Sequence, residues 1–360
     1  MLNVIFTIDY EIHGNGDGCP HALMVEPTAR LLDLFEKHGA KLTIMADVAE
    51  ILAFREYKNQ FGRDDYHYEA IVAQLKDAIR RGHDVQLHLH CSYFNSRFKG
   101  GKWIQDWSEY NFAGLSERRL NEVIRIGKEY LEEQLRSIDS SYRCNVFRAA
   151  NWAVSPSRNV VRALVNNGFQ IDTSVFKYGW REGIVNFDYS HAPSNLVPWM
   201  VGENNICQRD EKGSLLEVPI YAEQRWIGAF VTPQRIHRAW LTRQHRVAPA
   251  NNDGKLGPAP KPRRKKRLTG LFRIATQRHS WKADFNQCSG NQLVGALERA
   301  AAAHRFAAEL LPFVLIGHSK LFSRYNEHSL EPFLRHVARN PARFQFGKFS
   351  ALRPTCQKQN

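Results

Sequence analysis

An unbroken apolar, β-rich run covers residues 2–8 and ends at Asp9, as a strand buried on both faces does. Pro27 stands where a first helical turn tolerates proline. Leu31, Leu32, Leu34 and Phe35 follow at helical spacing, and Gly39 marks the stop. Residues 40–45 read as a second strand. Residues 68–81 are again helical through Ile71, Val72, Leu75 and Ile79, with Gly82 as terminator. Residues 84–90 alternate, placing Val85, Leu87 and Leu89 on one face and Gln86, His88 and His90 on the other. Further helices are expected over 115–135, from Ser155-Pro156 through Val165 to a stop at Gly168, and over 291–310 and 329–338. Short strands are expected at 145–147, 169–171, 215–220 and 313–316. This β-then-α alternation carries no internal repeat. It predicts an α/β protein with a largely parallel sheet and helices outside it.

Composition narrows the class. Hydrophobic residues make up 43% and aromatics 11% of 360 residues, which excludes a disordered or fibrous chain. That length suits two or three domains, or one barrel with insertions. No apolar run reaches the 18 or so residues of a membrane span. The first strand meets Asp9 without a preceding basic region, unlike a signal peptide. Six scattered cysteines form no CxxC pair, so reduced thiols and a cytoplasmic location are expected. The net charge of +14 is local: residues 242–282 hold twelve Lys or Arg against Asp253, or +11, leaving +3 elsewhere. Within them, 248–267 combine Pro249, Gly254, Gly257, Pro258, Pro260 and Pro262 with the run Arg263 to Arg267. Such a stretch cannot build a core and is expected to be an exposed, mobile insertion.

Parallel α/β proteins build sites at the carboxyl ends of their strands. Here those ends carry Asp9, Glu11 and His13; His88 and His90; Arg148, Asn151 and Trp152; and Gly317-His318-Ser319-Lys320. His88 and His90, two apart, share a strand face and can present two nitrogens to one metal. Asp9 and Glu11 share the same spacing. Two histidines and one carboxylate complete the protein side of an open metal site, and the other carboxylate remains as a base. The bland alternative is a solvated strand edge and a helix cap.

In order, Thr7-Ile8-Asp9-Tyr10-Glu11, Gly82 to His88, Arg148 to Trp152, Ile171-Asp172-Thr173-Ser174 and Leu315 to His318 resemble the five-motif series of polysaccharide deacetylases, the NodB-homology or carbohydrate esterase 4 group. The Asp-Tyr-Glu and His-Leu-His variants look most like a cytosolic branch tied to surface-polysaccharide (O-antigen-type) assembly. The resemblance implies a distorted (β/α)7-type barrel over 1–350, interrupted by the basic insertion at 242–282 and followed by a tail at 351–360. It also implies one divalent metal, usually zinc, and removal of an N-acetyl group from an acetamido sugar. Asp9 resembles the general base and Arg148 the arginine that holds it. Glu11 resembles the metal carboxylate, one residue further along than in the family's Asp-Asp form, and His88 the first metal histidine. The family's second metal histidine falls at Ser92, so His90 on the shared face takes its place. His318 resembles the general acid and Asp172 the carboxylate that supports it. Trp152 and Asn151 follow as substrate-binding residues.

Other groups enter as candidates. His13 and Asp17 lie in a Gly-rich loop that could touch substrate; Trp103, Trp107, Tyr110, Tyr178 and Trp180 could stack on sugar rings. The acetamido sugar could be carried on a nucleotide or a lipid. The basic segment lacks the signature of a specific nucleic-acid binder but could touch an anionic membrane peripherally. Competing readings are a metal amidohydrolase of another barrel type and a barrel that binds a carbohydrate or anion without turning it over.

Overall fold

The computed structural model describes residues 1–12, 18–244 and 277–352. In chain order it begins with β1 (Leu2–Tyr10), α1 (Glu26–Lys37), β2 (Leu42–Asp47), α2 (Val48–Phe61), α3 (Tyr68–Arg80) and β3 (Asp84–Leu89). A small hairpin, β4 (Arg97–Lys99) and β5 (Lys102–Ile104), precedes α4 (Glu117–Leu135), β6 (Val146–Ala149), α5 (Arg158–Asn166) and β7 (Ile171–Asp172). Next come β8 (Trp180–Arg181), β9 (Phe187–Asp188), β10 (Trp199–Gly202), β11 (Asn205–Arg209), β12 (Leu216–Glu217) and β13 (Ala222–Arg225). The described chain closes with α6 (Pro233–Gln244), β14 (His279–Lys282), α7 (Gly290–Ala303), β15 (Leu311–His318), α8 (Arg324–Arg339) and β16 (Phe344–Gly347).

Seven parallel strands run in the order β12-β7-β6-β3-β2-β1-β15. Antiparallel β10 and β11 extend the β12 end. The sheet curls so strongly that Ile220, just beyond β12, bridges to Val314 of β15 in parallel sense. This is the distorted barrel that the resemblance implies, and its parallel strands with helices between them follow the alternation in the sequence. β1, next to last in that order, is flanked along both edges: β15 covers one, while β16 takes Leu2 to Ile5 and β2 takes Phe6 to Tyr10 along the other. All nine β1 residues are buried, as their apolar run requires. Alternation sends Phe6 outward against the rings of Phe35, Phe333 and Phe346, and Thr7, Asp9 and Glu11 to the opposite side. Helix α4 packs so close to β3 that a Cβ on Gly127 would sit 2.7 Å from Leu87.

Several boundaries differ from expectation. Helix α5 starts at Arg158, behind a cis Ser155–Pro156 bond that was expected to cap it. Helix α7 stops at Ala303, and α8 starts at Arg324 under a Ser323/Asn326 capping box. Helix α2 and the hairpins β4–β5, β8–β9, β10–β11 and β13–β14 had no sequence counterpart. The stretch 248–267 and most of the tail, with His13 and Asp17, lie outside the described residues. No helix among the described residues is long and apolar enough to cross a membrane. Cys19, Cys91, Cys144, Cys207 and Cys288 are free thiols.

Candidate metal and hydrolytic centre

Strand register assembles the site. Asp9 pairs with His318 across β1 and β15, and Asp47, His88 and Arg148 line up across β2, β3 and β6. All five lie at carboxyl ends of parallel strands.

Arg148 is fully buried. Its Nη1 donates to Asp9 Oδ1 at 2.9 Å and to Thr7 Oγ1 at 2.8 Å, and its Nε to the Thr173 carbonyl at 3.0 Å. Burial raises the Asp9 pKa, but the charges of Arg148, His88 and His318 outweigh it and hold the carboxyl below its usual value. The second Asp9 oxygen lies 3.6 Å from His318 Nε2. Asp9 is therefore an ionised carboxylate with one oxygen fixed and the other facing an imidazole.

Glu11, His88 and His90 place one donor atom each within 4.8 Å of one another, all buried. His88 Nδ1 lies 2.9 Å from the Arg148 carbonyl, which can only accept, so Nδ1 carries the hydrogen. Its Nε2 faces Glu11 Oε2 at 3.3 Å, the ring nitrogen that a neutral imidazole with Nδ1–H offers to a metal. Glu11 Oε2 also lies 3.0 Å from His90 Nδ1, which Asp47 Oδ2 approaches at 2.9 Å. Burial works against a charge on His90, but Glu11 and Asp47 prevail and raise its pKa. Two imidazoles and a carboxylate, oriented by a carbonyl and a second carboxylate, fit a divalent ion, and zinc among others.

Lys320 was legible in the sequence but had no assigned role. Its Nζ donates to Glu11 Oε1 at 2.9 Å and to the Ile12 carbonyl at 2.8 Å. Glu50 is also buried, and its Oε2 accepts from the Ile12 N–H at 2.7 Å. Burial, reinforced by Asp47, pushes its pKa up to about 8. Neither Asp47 nor Glu50 was singled out from the sequence. The strand-end rule that found Asp9 would have found Asp47 had β2 been carried two residues further.

Asp172 requires a correction. Its carboxylate accepts from Ser174 Oγ at 2.8 Å and Ser174 N at 3.2 Å and sits against Glu217. His318 Nδ1 is buried without a hydrogen-bond partner among the described residues. Asp172 is thus engaged by Ser174 and Glu217, with Arg148 nearby, rather than by His318. What fixes His318 instead is its own N–H, donated to Asn286 Oδ1 at 2.6 Å. Gly317 makes this possible, since a Cβ there would collide with Phe285 and Asn286. Burial drops the His318 pKa to about 4, so the ring is neutral at neutral pH and not the resting cation the resemblance suggests.

Trp152 stands edge-on to His318, ring centroids 6.4 Å apart, with the Lys282 ammonium 3.3 Å from its own centroid. Asn151 Oδ1 accepts from Arg181 at 3.0 Å. Both residues hold positive φ, 54° and 58°, backbone that L-residues adopt at a cost and that gathers at sites. Of the other aromatics, Trp103 is buried among Tyr57, Tyr66 and Phe98. Trp107 pairs with Tyr110, and Trp180 is exposed.

The strand ends of this curled, largely parallel sheet thus bring together a candidate divalent-metal cluster, Glu11, His88 and His90, and an arginine-held aspartate. No protein-family model matches the chain, and no curated protein sequence does. Among solved structures it is similar to a protein from Parabacteroides distasonis described as a glycoside hydrolase/deacetylase, at 10% identity and TM-score 0.53, covering 96% of this chain and 69% of that one. It is also similar to a GH57-type branching enzyme from Pyrococcus horikoshii, at 12% identity and TM-score 0.51, covering 97% and 69%. A protein from Mycobacterium smegmatis described as a polysaccharide deacetylase aligns at 12% identity and TM-score 0.45, covering 97% and 87%. At these identities the likeness is one of fold: the curled α/β half-barrel of the polysaccharide-deacetylase type.

Proposed function

We propose that the protein is a metal-dependent hydrolase that removes the N-acetyl group from an acetamido sugar in cytoplasmic surface-polysaccharide assembly. The observation that carries this reading is the division of labour between two carboxylates. Glu11 faces the imidazoles of His88 and His90, whereas Asp9, two residues away, is turned to Arg148 and His318.

A divalent cation, zinc by its donor set, would be held by Glu11, His88 and His90 and would supply a polarised carbonyl and a more acidic water. Asp9, ionised and anchored by Arg148, is placed to take the proton of the attacking water. His318 is neutral and 3.6 Å from the free Asp9 oxygen. It is placed to receive that proton and deliver it to the departing sugar nitrogen, which leaves as an amine while the acyl carbon becomes acetate. Trp152, beside His318, walls the acetyl pocket.

Metal analysis of the purified protein, with acetate release from a panel of free, nucleotide-linked and lipid-linked acetamido sugars, tests the reading. A metal-free protein that releases no acetate after metal loading would point to a sugar-binding barrel. Asp9→Asn is expected to bind metal with unchanged stoichiometry and to lose on the order of 10² to 10⁴ in kcat. Acetate release near the wild-type rate would move the base elsewhere.

A further inference from the structure

Away from Asp9, a cavity of about 280 Å³ opens between α7 and the β13–β14 hairpin. Its lining includes Tyr178, Glu223, Arg278, Arg299 and His304. Glu223, the one acid in that lining, is spent: Arg299 holds both its oxygens at 2.9 and 2.8 Å, and the Tyr221 hydroxyl donates to one at 2.7 Å. Arg278 is exposed, lies 5.5 Å from the Trp226 ring centroid, and forms no ion pair among the described residues. The cavity therefore carries surplus positive charge in guanidinium form, which suits phosphoryl oxygens.

Its position ties it to the catalytic end. Ser280 and Lys282 alternate along β14 and share a face, and Arg278, the residue just before the strand, continues the alternation. Their contacts advance in step: Lys282 lies over Trp152 and Phe176, Ser280 Oγ donates to the Lys177 carbonyl, and Arg278 reaches the cavity with Tyr178. Four residues of strand put Lys282 and Arg278 about 13 Å apart at ~3.3 Å per residue. Lys177 adds its ammonium over the Tyr178 ring. A cationic path thus runs from the ring that flanks His318 to the cavity. Tyr178 holds φ at +69°, so its backbone, like that of Asn151 and Trp152, is kept in an uncommon conformation along this path.

We propose that this cavity binds a phosphoryl group, and that it takes the diphosphate end of a substrate whose acetamido sugar reaches Asp9. The first half stands without the deacetylase reading; the second rests on it. Nucleotide-linked and lipid-linked sugars share this chemistry.

Calorimetry with inorganic pyrophosphate on the full chain tests the first half. Saturable binding is expected at low salt, weakened tenfold or more by Arg278→Glu and unchanged by Arg335→Gln, an exposed arginine on α8. No saturable binding, or equal binding by Arg278→Glu, would overturn the site, and the second result would assign the anion to the basic run Arg263 to Arg267. For the second half, Arg278→Glu is expected to raise KM for diphosphate-linked acetamido sugars with little change in kcat. It should leave turnover of the free sugar unaltered. Comparing UDP-linked with short-chain prenyl-diphosphate-linked sugar identifies the carrier by its lower KM. Pyrophosphate binding without acetate release from any of them would keep the cavity and sink the deacetylase reading. An equal KM rise for the free sugar would sink the link between them.

Discussion

Asp172 and Glu217 meet with neither side chain exposed, paired in register across β7 and β12. Two buried carboxyls in contact cannot both ionise. Burial, with Asp172 beside it, drives the Glu217 pKa far up, so Glu217 carries the proton and its Oε1 accepts from the Val175 N–H at 3.0 Å. Glu217→Gln keeps the shape and the neutral charge, and urea unfolding should find it within about 1 kcal/mol of wild type. Glu217→Ala leaves a cavity and an orphaned N–H and is expected to lose about 2–4 kcal/mol. Equal losses in the two variants would mean that Glu217 is ionised. The pair lies behind Arg148, so the same Ala variant should also loosen the guanidinium that fixes Asp9. None of this pairing was visible in the sequence, where Glu217 is one acid in a short strand and its partner is 45 positions earlier.

Legibility at the scale of elements follows burial. Strands β1 and β3 were clear because every one of their residues is buried on one face or the other, and with them came Asp9, Glu11, His88 and His90. Helix α2 was not. It buries Glu50 along with Val48, Ile51 and Phe54, so a core carboxylate interrupts the apolar stripe that periodicity looks for. The expected support of His318 by Asp172 failed for a different reason, since motif order says nothing about which strands curl toward each other. The join between α3 and β3 offers a pH test. His83 Nδ1 accepts from the Leu42 N–H of β2 at 3.0 Å, and burial, with Lys41 nearby, lowers its pKa to about 4. An unfolded His83 titrates near 6.5, so the unfolded chain binds this proton first. Stability should be unaffected above that value and fall as pH drops from about 6.5 to 4. His83→Gln should flatten that part of a melting-temperature profile, and an unaltered slope would assign the loss to other groups.

For the molecule as a whole, charge and fold are separate matters. The described barrel is built from elements outside 248–267, and that stretch has little to bury by composition. Its deletion should leave the melting temperature within a few degrees, because loop closure changes only slowly with length. If the basic run gathers an anionic substrate or membrane, the intact chain's KM should rise with salt and the deleted chain's should not. Equal KM values at low and high salt in both proteins would reduce the segment to a solvated loop.

The pairing of β1 along both edges has a consequence for the growing chain. Its neighbours β15 and β16 are translated some three hundred residues after it. While the ribosome makes the intervening helices, Leu2 to Tyr10 keeps one long edge bare, an adhesive surface for any passing strand. Contacts that span some three hundred residues also make closure slow. Because Asp9 meets His318 only in that pairing, a nascent chain that lacks β15 holds the proposed base without the proposed acid. On that reading, competence would arrive only with the strand that shields the first one from aggregation.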